Sequence, residues 1–173
     1  MTQILFSSLL ALSSSFFITV SSHAANFSLH SSSFKASSTI PALYTCDGRG
    51  LSPELSWQGV PAKTEAFALI TADPDAPAGT WYHWVIYNIP ASVSEIPQGE
   101  ILPAGAMLGT NSQGKTEYQG PCPPTTTIHR YVFTLYALDK KLSLPEGVDA
   151  KTLERAMQGH VLGKTSILGV FGH

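Results

Sequence analysis

The hydrophobic positions of this chain gather in its middle. Residues 66–72 read Ala-Phe-Ala-Leu-Ile-Thr-Ala and stop at Asp73-Pro74. A short apolar run that ends on a proline turn predicts a strand covered on both faces. Residues 81–89 (Trp-Tyr-His-Trp-Val-Ile-Tyr-Asn-Ile) are rich in aromatic and β-branched side chains and end at Pro90, which predicts a second strand. Residues 131–138 predict a third, ending at Asp139, and residues 166–171 a fourth that closes the sheet. Phe27, Leu29 and Phe34 leave room for an edge strand in a serine-rich lead-in. One helix is expected. Asp149 suits an N-cap, Leu153, Ala156 and Met157 share a face, and Gly159 sits where a C-terminal glycine belongs. Residues 91–128 carry Pro97, Gly99, Pro103, Gly105, Gly109, Gly114 and Gly120. An irregular segment of that length in a compact domain tends to be functional. The pattern predicts a mostly β sandwich or barrel-like sheet with little helix.

The 173 residues suit one domain, with no repeat or linker to divide it. Charged residues make up 13%, against about 25% in an ordinary soluble domain. The net charge is −2, and the ten Lys and Arg residues form no cluster. That excludes a nucleic-acid binder, whose footprint is a basic patch.

The N-terminus has a different character. No charged side chain precedes Lys35, and residues 4–20 are apolar but broken by serines. Ser21-Ser22-His23-Ala24-Ala25 then supplies the small residues that a signal peptidase reads. Residues 1–24 are expected to be a signal peptide and residues 25–173 the mature domain, periplasmic or secreted. The competing readings are a short membrane anchor or a buried N-terminal helix. An apolar run of about 17 residues, diluted by serine, is marginal for spanning a bilayer. No transmembrane segment is expected in the mature chain. Export also bears on Cys46 and Cys122, the two cysteines. In an oxidising compartment they pair; otherwise they are two free buried thiols. The sequence leaves both possibilities open.

Two segments carry candidate chemistry. In the first, Asp73-Pro74-Asp75-Ala76-Pro77 puts two carboxylates on a proline-stiffened turn, and the strand from Trp81 brings His83 back toward the same edge. In the second, Gly120-Pro121-Cys122-Pro123-Pro124 leads to His129-Arg130-Tyr131 at the start of a strand. If the two hairpins are neighbours, two imidazoles and two carboxylates converge. Each carboxylate would favour a charged or N–H-donating imidazole, and the group would hold an anion such as phosphate. Gly120 would let the backbone approach that ligand. Plainer readings exist for each residue: turn chemistry for the Asp-Pro-Asp, core packing for Trp81, a sheet-edge salt bridge for Arg130.

These segments resemble the two signature blocks of the phosphatidylethanolamine-binding protein family. Leu51-Ser52-Pro53-Glu54-Leu55-Ser56-Trp57 resembles a third block, and Tyr136-Ala137-Leu138-Asp139 is typical of the bacterial, Raf-kinase-inhibitor-like branch. The resemblance spans about Phe27 to Gly172. It implies a large central antiparallel β-sheet packed on a smaller one, with one or two short C-terminal helices. It also implies a pocket for phosphate-like anions and phospholipid head groups. On this chain the matching positions are Asp73, Asp75, Ala76, Pro77, Trp81, His83, Gly120, Pro123, His129 and Tyr131. No cofactor and no catalytic cycle is implied. The chain departs from the pattern at Thr125-Thr126-Thr127, where a Lys-Gly turn is usual, and at Phe171, where the branch commonly has Tyr.

The leading expectation is therefore an exported, non-enzymatic protein that binds a small anion or phospholipid head group in a shallow pocket. A further expectation is a protein target, a kinase or protease, contacted through residues 97–119. The alternative is a divalent-metal-dependent hydrolase on the same Asp/His cluster. Against it, the sequence has no His-x-x-x-His pair and no clustered Cys ligands.

Overall fold

The computed structural model of the protein describes residues 26–99 and 101–173. The expected signal peptide at residues 1–24 lies outside the described residues. Among the described residues the strands are β1 (Ser28–His30), β2 (Leu55–Gln58), β3 (Ala66–Asp73), β4 (Trp81–Pro90), β5 (Glu95–Ile96), β6 (Met107–Leu108), β7 (Ile128–Leu138) and β8 (Val161–Gly172). A single-turn 3₁₀ helix spans Ala42–Tyr44, and α1 spans Ala150–Met157.

The strands form two antiparallel sheets. The larger runs in the order β6-β4-β3-β7-β8 and the smaller β1-β2-β5. β3 is the middle strand, flanked by β4 and β7, and this explains its unbroken apolar sequence. Phe67 and Leu69 point into the core between the sheets, against Leu29, Leu55, Trp57 and Ile96 of the smaller sheet. Ala68 and Ile70 point the other way, into a second core closed by Ala150, Leu153 and Met157 of α1. A strand buried on both faces has no polar alternation to show. β7 repeats the arrangement, with Tyr131, Phe133 and Leu135 facing the smaller sheet. The expected sandwich of a large and a small sheet is thus what these residues build.

The helix forms as its end signals predict. The Asp149 side chain accepts from the Thr152 N–H at 2.6 Å, and Gly159 adopts φ 79° just past the last turn. The last strand differs from expectation. It starts at Val161 rather than Ser166, because its first half is an exposed extension paired with the far end of β7. Among the described residues between β4 and β7, only β5 and β6 are regular, at two residues each.

Cys46 and Cys122 form a disulfide, Cα to Cα 5.4 Å, across 76 residues of sequence. It ties the segment after the 3₁₀ turn to the proline-rich loop before β7. Gly120 lies in that same loop. A Cβ there would meet the Tyr44 carbonyl oxygen at 2.9 Å and the Thr45 Cα at 3.0 Å. Its missing side chain lets two backbone segments touch, and that contact is with the chain itself.

Candidate functional site

β3, β4 and β7 all deliver polar side chains to one end of the large sheet. β3 ends on Asp73. β7 contributes His129 and Tyr131, which share the core-facing parity of Phe133. His83 on β4 arrives by a local irregularity. Trp84 pairs with Thr71 and Tyr82 pairs with Ala72, so β4 carries one residue more than β3 at this point. That is a β-bulge, and His83 is the extra residue. Strict alternation from Val85, which faces the helix side, would send His83 to the same side. The bulge returns it to the side of Trp84 and Tyr131.

The result is a cavity of about 180 Å³ lined by Asp73, Ala76, Pro77, Trp81, His83, Gln119, Cys122, Pro123, Pro124, His129 and Tyr131. It is small and open on one side, in keeping with the shallow site expected. Eight of the ten sequence-predicted ligand residues are on this wall; Asp75 and Gly120 are not. Pro77 and Pro123–Pro124 form apolar parts of the lining, and proline at such positions holds its shape with little entropy left to lose.

The polar floor is wired rigidly. The Nδ1–H of His129 faces Oδ2 of Asp73 at 2.7 Å, and both side chains are buried. The other Asp73 oxygen, Oδ1, accepts from the Asp75 backbone N–H at 2.8 Å. His83 Nδ1 contacts the Gln119 carbonyl oxygen at 2.8 Å. The same residue's side-chain oxygen accepts from Trp81 Nε1–H at 2.9 Å. Gln119 therefore orients two pocket side chains at once. Sequence reasoning missed it, and a role played partly by a main-chain carbonyl leaves no signal in residue type.

Among the described residues, two buried polar atoms of lining side chains have no partner: His83 Nε2 and the Tyr131 hydroxyl. The two rings meet edge to face, centroids 5.2 Å apart. Orphaned polar atoms in a native interior are rare, and a bound ligand, ion or water is one way their bonding is completed; Trp57 Nε1, Thr71 Oγ1 and Trp84 Nε1 are orphaned as well, away from the cavity. Burial pushes the His83 pKa below its ordinary 6.5; the Gln119 hydrogen bond and the Asp73 charge pull it back only in part. Asp73 favours the charged ring, as expected of a carboxylate, but desolvation outweighs it. Burial, then Asp73 and Asp75, push the Tyr131 hydroxyl far up, so it stays a neutral donor.

Asp75 does something else. Its carboxylate accepts from Arg130 Nε–H at 2.8 Å, Arg130 Nη2–H at 2.6 Å and the Arg130 backbone N–H at 2.9 Å. This fork clamps the Asp-Pro-Asp turn onto the start of β7, and it lowers the Asp75 pKa to about 2. Arg130 is the sheet-edge partner its position suggested. Phe171 pairs in register with His129 on β8 but is not among the cavity-lining residues. Of the groups a metal could use at this cluster, Asp73 and Asp75 already accept the hydrogen bonds above. Among the described residues, the three side chains whose donor atoms come within 4.8 Å of one another are Cys46, Asp47 and His173, and the Cys46 sulfur is already in the disulfide.

The family model described as "Phosphatidylethanolamine-binding protein" matches residues 30–172. A UPF0098 protein of Methanothermobacter thermautotrophicus is 45% identical over 147 residues, covering 83% of this chain and 97% of that protein. The crystal structure of a phosphatidylethanolamine-binding protein homologue from Chlamydia trachomatis superposes with TM-score 0.80 at 38% identity, over 85% of this chain and 97% of that one. Escherichia coli YbcL, described as a new member of the mammalian family, gives TM-score 0.81 at 30% identity, over 86% and 99%. A family model covering nearly all of the described chain, a relative matched over 97% of its length and two solved structures with TM-scores of 0.80 and 0.81 agree: the chain belongs to the phosphatidylethanolamine-binding protein family.

Proposed function

We propose that the protein is an exported, non-enzymatic binding protein whose pocket holds a small oxyanion of the phosphate or phospholipid head-group type. The observation that carries this reading is the pair of buried, unpartnered groups, His83 Nε2 and Tyr131 OH, in a cavity floored by a hydrogen-bonded Asp73–His129 pair. The cavity volume suits a head group, and its apolar rim of Ala76, Pro77, Pro123 and Pro124 suits the few carbons next to the charged end. Export is supported by the apolar, serine-broken leader at residues 4–20 and by the disulfide, a bond that persists in oxidising compartments.

The test is thermal denaturation of the purified protein with inorganic phosphate or phosphorylethanolamine. Bound ligand raises the midpoint by mass action, by about 2.7 kcal/mol of stability at a hundredfold excess over Kd. The midpoint should rise for the wild type and stay fixed for His83→Ala. No rise for the wild type at millimolar ligand would overturn the reading.

A further inference from the structure

We propose that the Cys46–Cys122 disulfide masks a zinc site: once it is reduced, the two thiolates join Asp47 and His173 to hold one zinc ion. The site uses none of Asp73, His83 and His129, so the inference stands independently of the anion-pocket reading.

Three segments bring the donors together. Cys46 and Asp47 follow the 3₁₀ turn, Cys122 lies in the loop before β7, and His173 comes directly after β8. The Cys46 sulfur and one ligand atom each of Asp47 and His173 lie within 4.8 Å of one another. His173 Nδ1 stands 3.3 Å from Asp47 Oδ2. A nitrogen and an oxygen on one tetrahedral zinc are about 3.3–3.5 Å apart, given bonds of about 2.1 Å. This pair is therefore already at a ligand-to-ligand distance. Cys122 Sγ is bonded to Cys46 Sγ, so the fourth donor is at hand. The two sulfurs need only part to about 3.8 Å, the edge of a tetrahedron whose zinc–sulfur bonds are about 2.3 Å. Two thiolates, an imidazole and a carboxylate suit zinc, whereas calcium and magnesium take oxygen donors.

Main-chain contacts hold the set in place without the bridge. The Cys46 N–H donates to the Pro121 carbonyl at 3.0 Å, so the two cysteines stay side by side when the S–S bond opens. The Asp47 N–H donates to Thr45 Oγ1 at 3.2 Å and steadies its turn. Gly172 pairs with Ile128, and the His173 ring meets Phe171 edge to face at 5.5 Å. The end of β8 is thereby held beside the start of β7. All four donor residues are exposed, so a reductant and a metal both reach them.

The reductant is a dithiol. It gives two electrons and two protons to the bridge: one S–S bond breaks here, two thiols form, and one S–S bond forms in the dithiol. Zinc then displaces the two thiol protons to solvent, with no change in oxidation state. Disulfide and zinc are alternative cross-links between the same two segments.

The experiment is titration of the purified protein with zinc and with cobalt(II), oxidised and reduced. Reduction uses a phosphine, which takes an oxygen from water as it becomes the phosphine oxide and is then removed by desalting without air. The reduced protein should bind one zinc per chain with Kd below about 1 μM. Cobalt(II) should show thiolate charge transfer and the d–d bands of a tetrahedral ion. The oxidised protein should show neither. Asp47→Ala/His173→Ala changes two surface residues and keeps both thiols; it should weaken zinc binding by at least about tenfold, the least that even an outer-shell contact costs. If the reduced chain does not fold without metal, zinc should restore a cooperative melting transition to the wild type and not to the double variant. Reduced wild type that takes up no zinc, oxidised protein that binds it as well, or a double variant that binds it equally tightly would each overturn the inference.

Discussion

His129 and Asp73 face each other across 2.7 Å, with side chains only 6% and 5% exposed. They sit 56 residues apart in sequence, on adjacent strands. The bond joins the Asp-Pro-Asp turn to β7, and so fixes the distance between the two halves of the pocket. Removing one partner leaves the other buried and unsatisfied. Asp73→Ala should therefore destabilise the protein by about 3 kcal/mol, read as a lower urea midpoint, and should abolish ligand binding. A variant with wild-type stability would show that the pair is not what holds this edge of the sheet.

Asp75 predicts a pH effect. Its folded pKa, about 2, lies below the unfolded value of about 3.9. A depressed carboxyl contributes stability above the unfolded pKa and loses it as pH falls from about 5 toward 2. His83 acts in the same direction in a higher window, since its lowered pKa costs stability as pH falls through about 6.5. Urea midpoints measured from pH 7 to pH 2 should show both limbs. Asp75→Asn should flatten the lower one while leaving the upper one in place. Parallel curves for the two proteins would contradict the Arg130 clamp.

The disulfide predicts a coupled loss. Cys122 is itself part of the pocket wall, and its loop carries Gln119. Closing 76 residues of sequence stabilises by about 4 kcal/mol in the chain-entropy model. Cys46→Ser/Cys122→Ser should lower the melting temperature, and should weaken binding of phosphorylethanolamine beyond what a remote destabilisation would. Unchanged affinity in the folded double variant would show that the loop holds its shape without the bond.

Asn88 lies at the second register shift between β3 and β4. It is buried at φ 55°. Its amide donates to the Leu142 carbonyl at 3.0 Å and accepts from the Leu142 N–H at 2.8 Å. Asn88→Gly keeps the backbone angle but loses both bonds; Asn88→Ala loses the bonds and adds strain. The losses should be about 2 kcal/mol for Gly and about 1 kcal/mol more for Ala, measured by chemical denaturation. The reverse order would mean that the φ angle carries no strain.

Much of this was legible in the sequence, for physical reasons. β3, β4 and β7 are long and apolar, and burial on both faces is what their unbroken runs encode. The capped helix was legible because Asp149 and Gly159 serve local backbone needs. β2 leaves only a weak signal, because Leu55 and Trp57 alternate with Ser56 and Gln58 over only four residues. β5 and β6 are two residues each and exist only by pairing. At the site, the Asp/His constellation was visible as residue types, but three relationships were not. The bulge that turns His83 inward is a matter of register. The hold of Gln119 on His83 runs through a main-chain atom. The diversion of Asp75 to Arg130 depends on how the turn after β3 meets the start of β7, which also explains why a four-residue Asp/His cluster became two rings, one carboxylate and a clamp.

The most direct test of the central claim is the side-chain nitrogen NMR spectrum of the histidines, recorded at pH 7 with and without saturating phosphorylethanolamine. The account predicts that free His83 is neutral with its proton on Nδ1, and that ligand moves the Nε2 resonance of His83 strongly while His30 and His160 stay still. A His83 ring whose Nε2 signal does not respond to any concentration of ligand would contradict it.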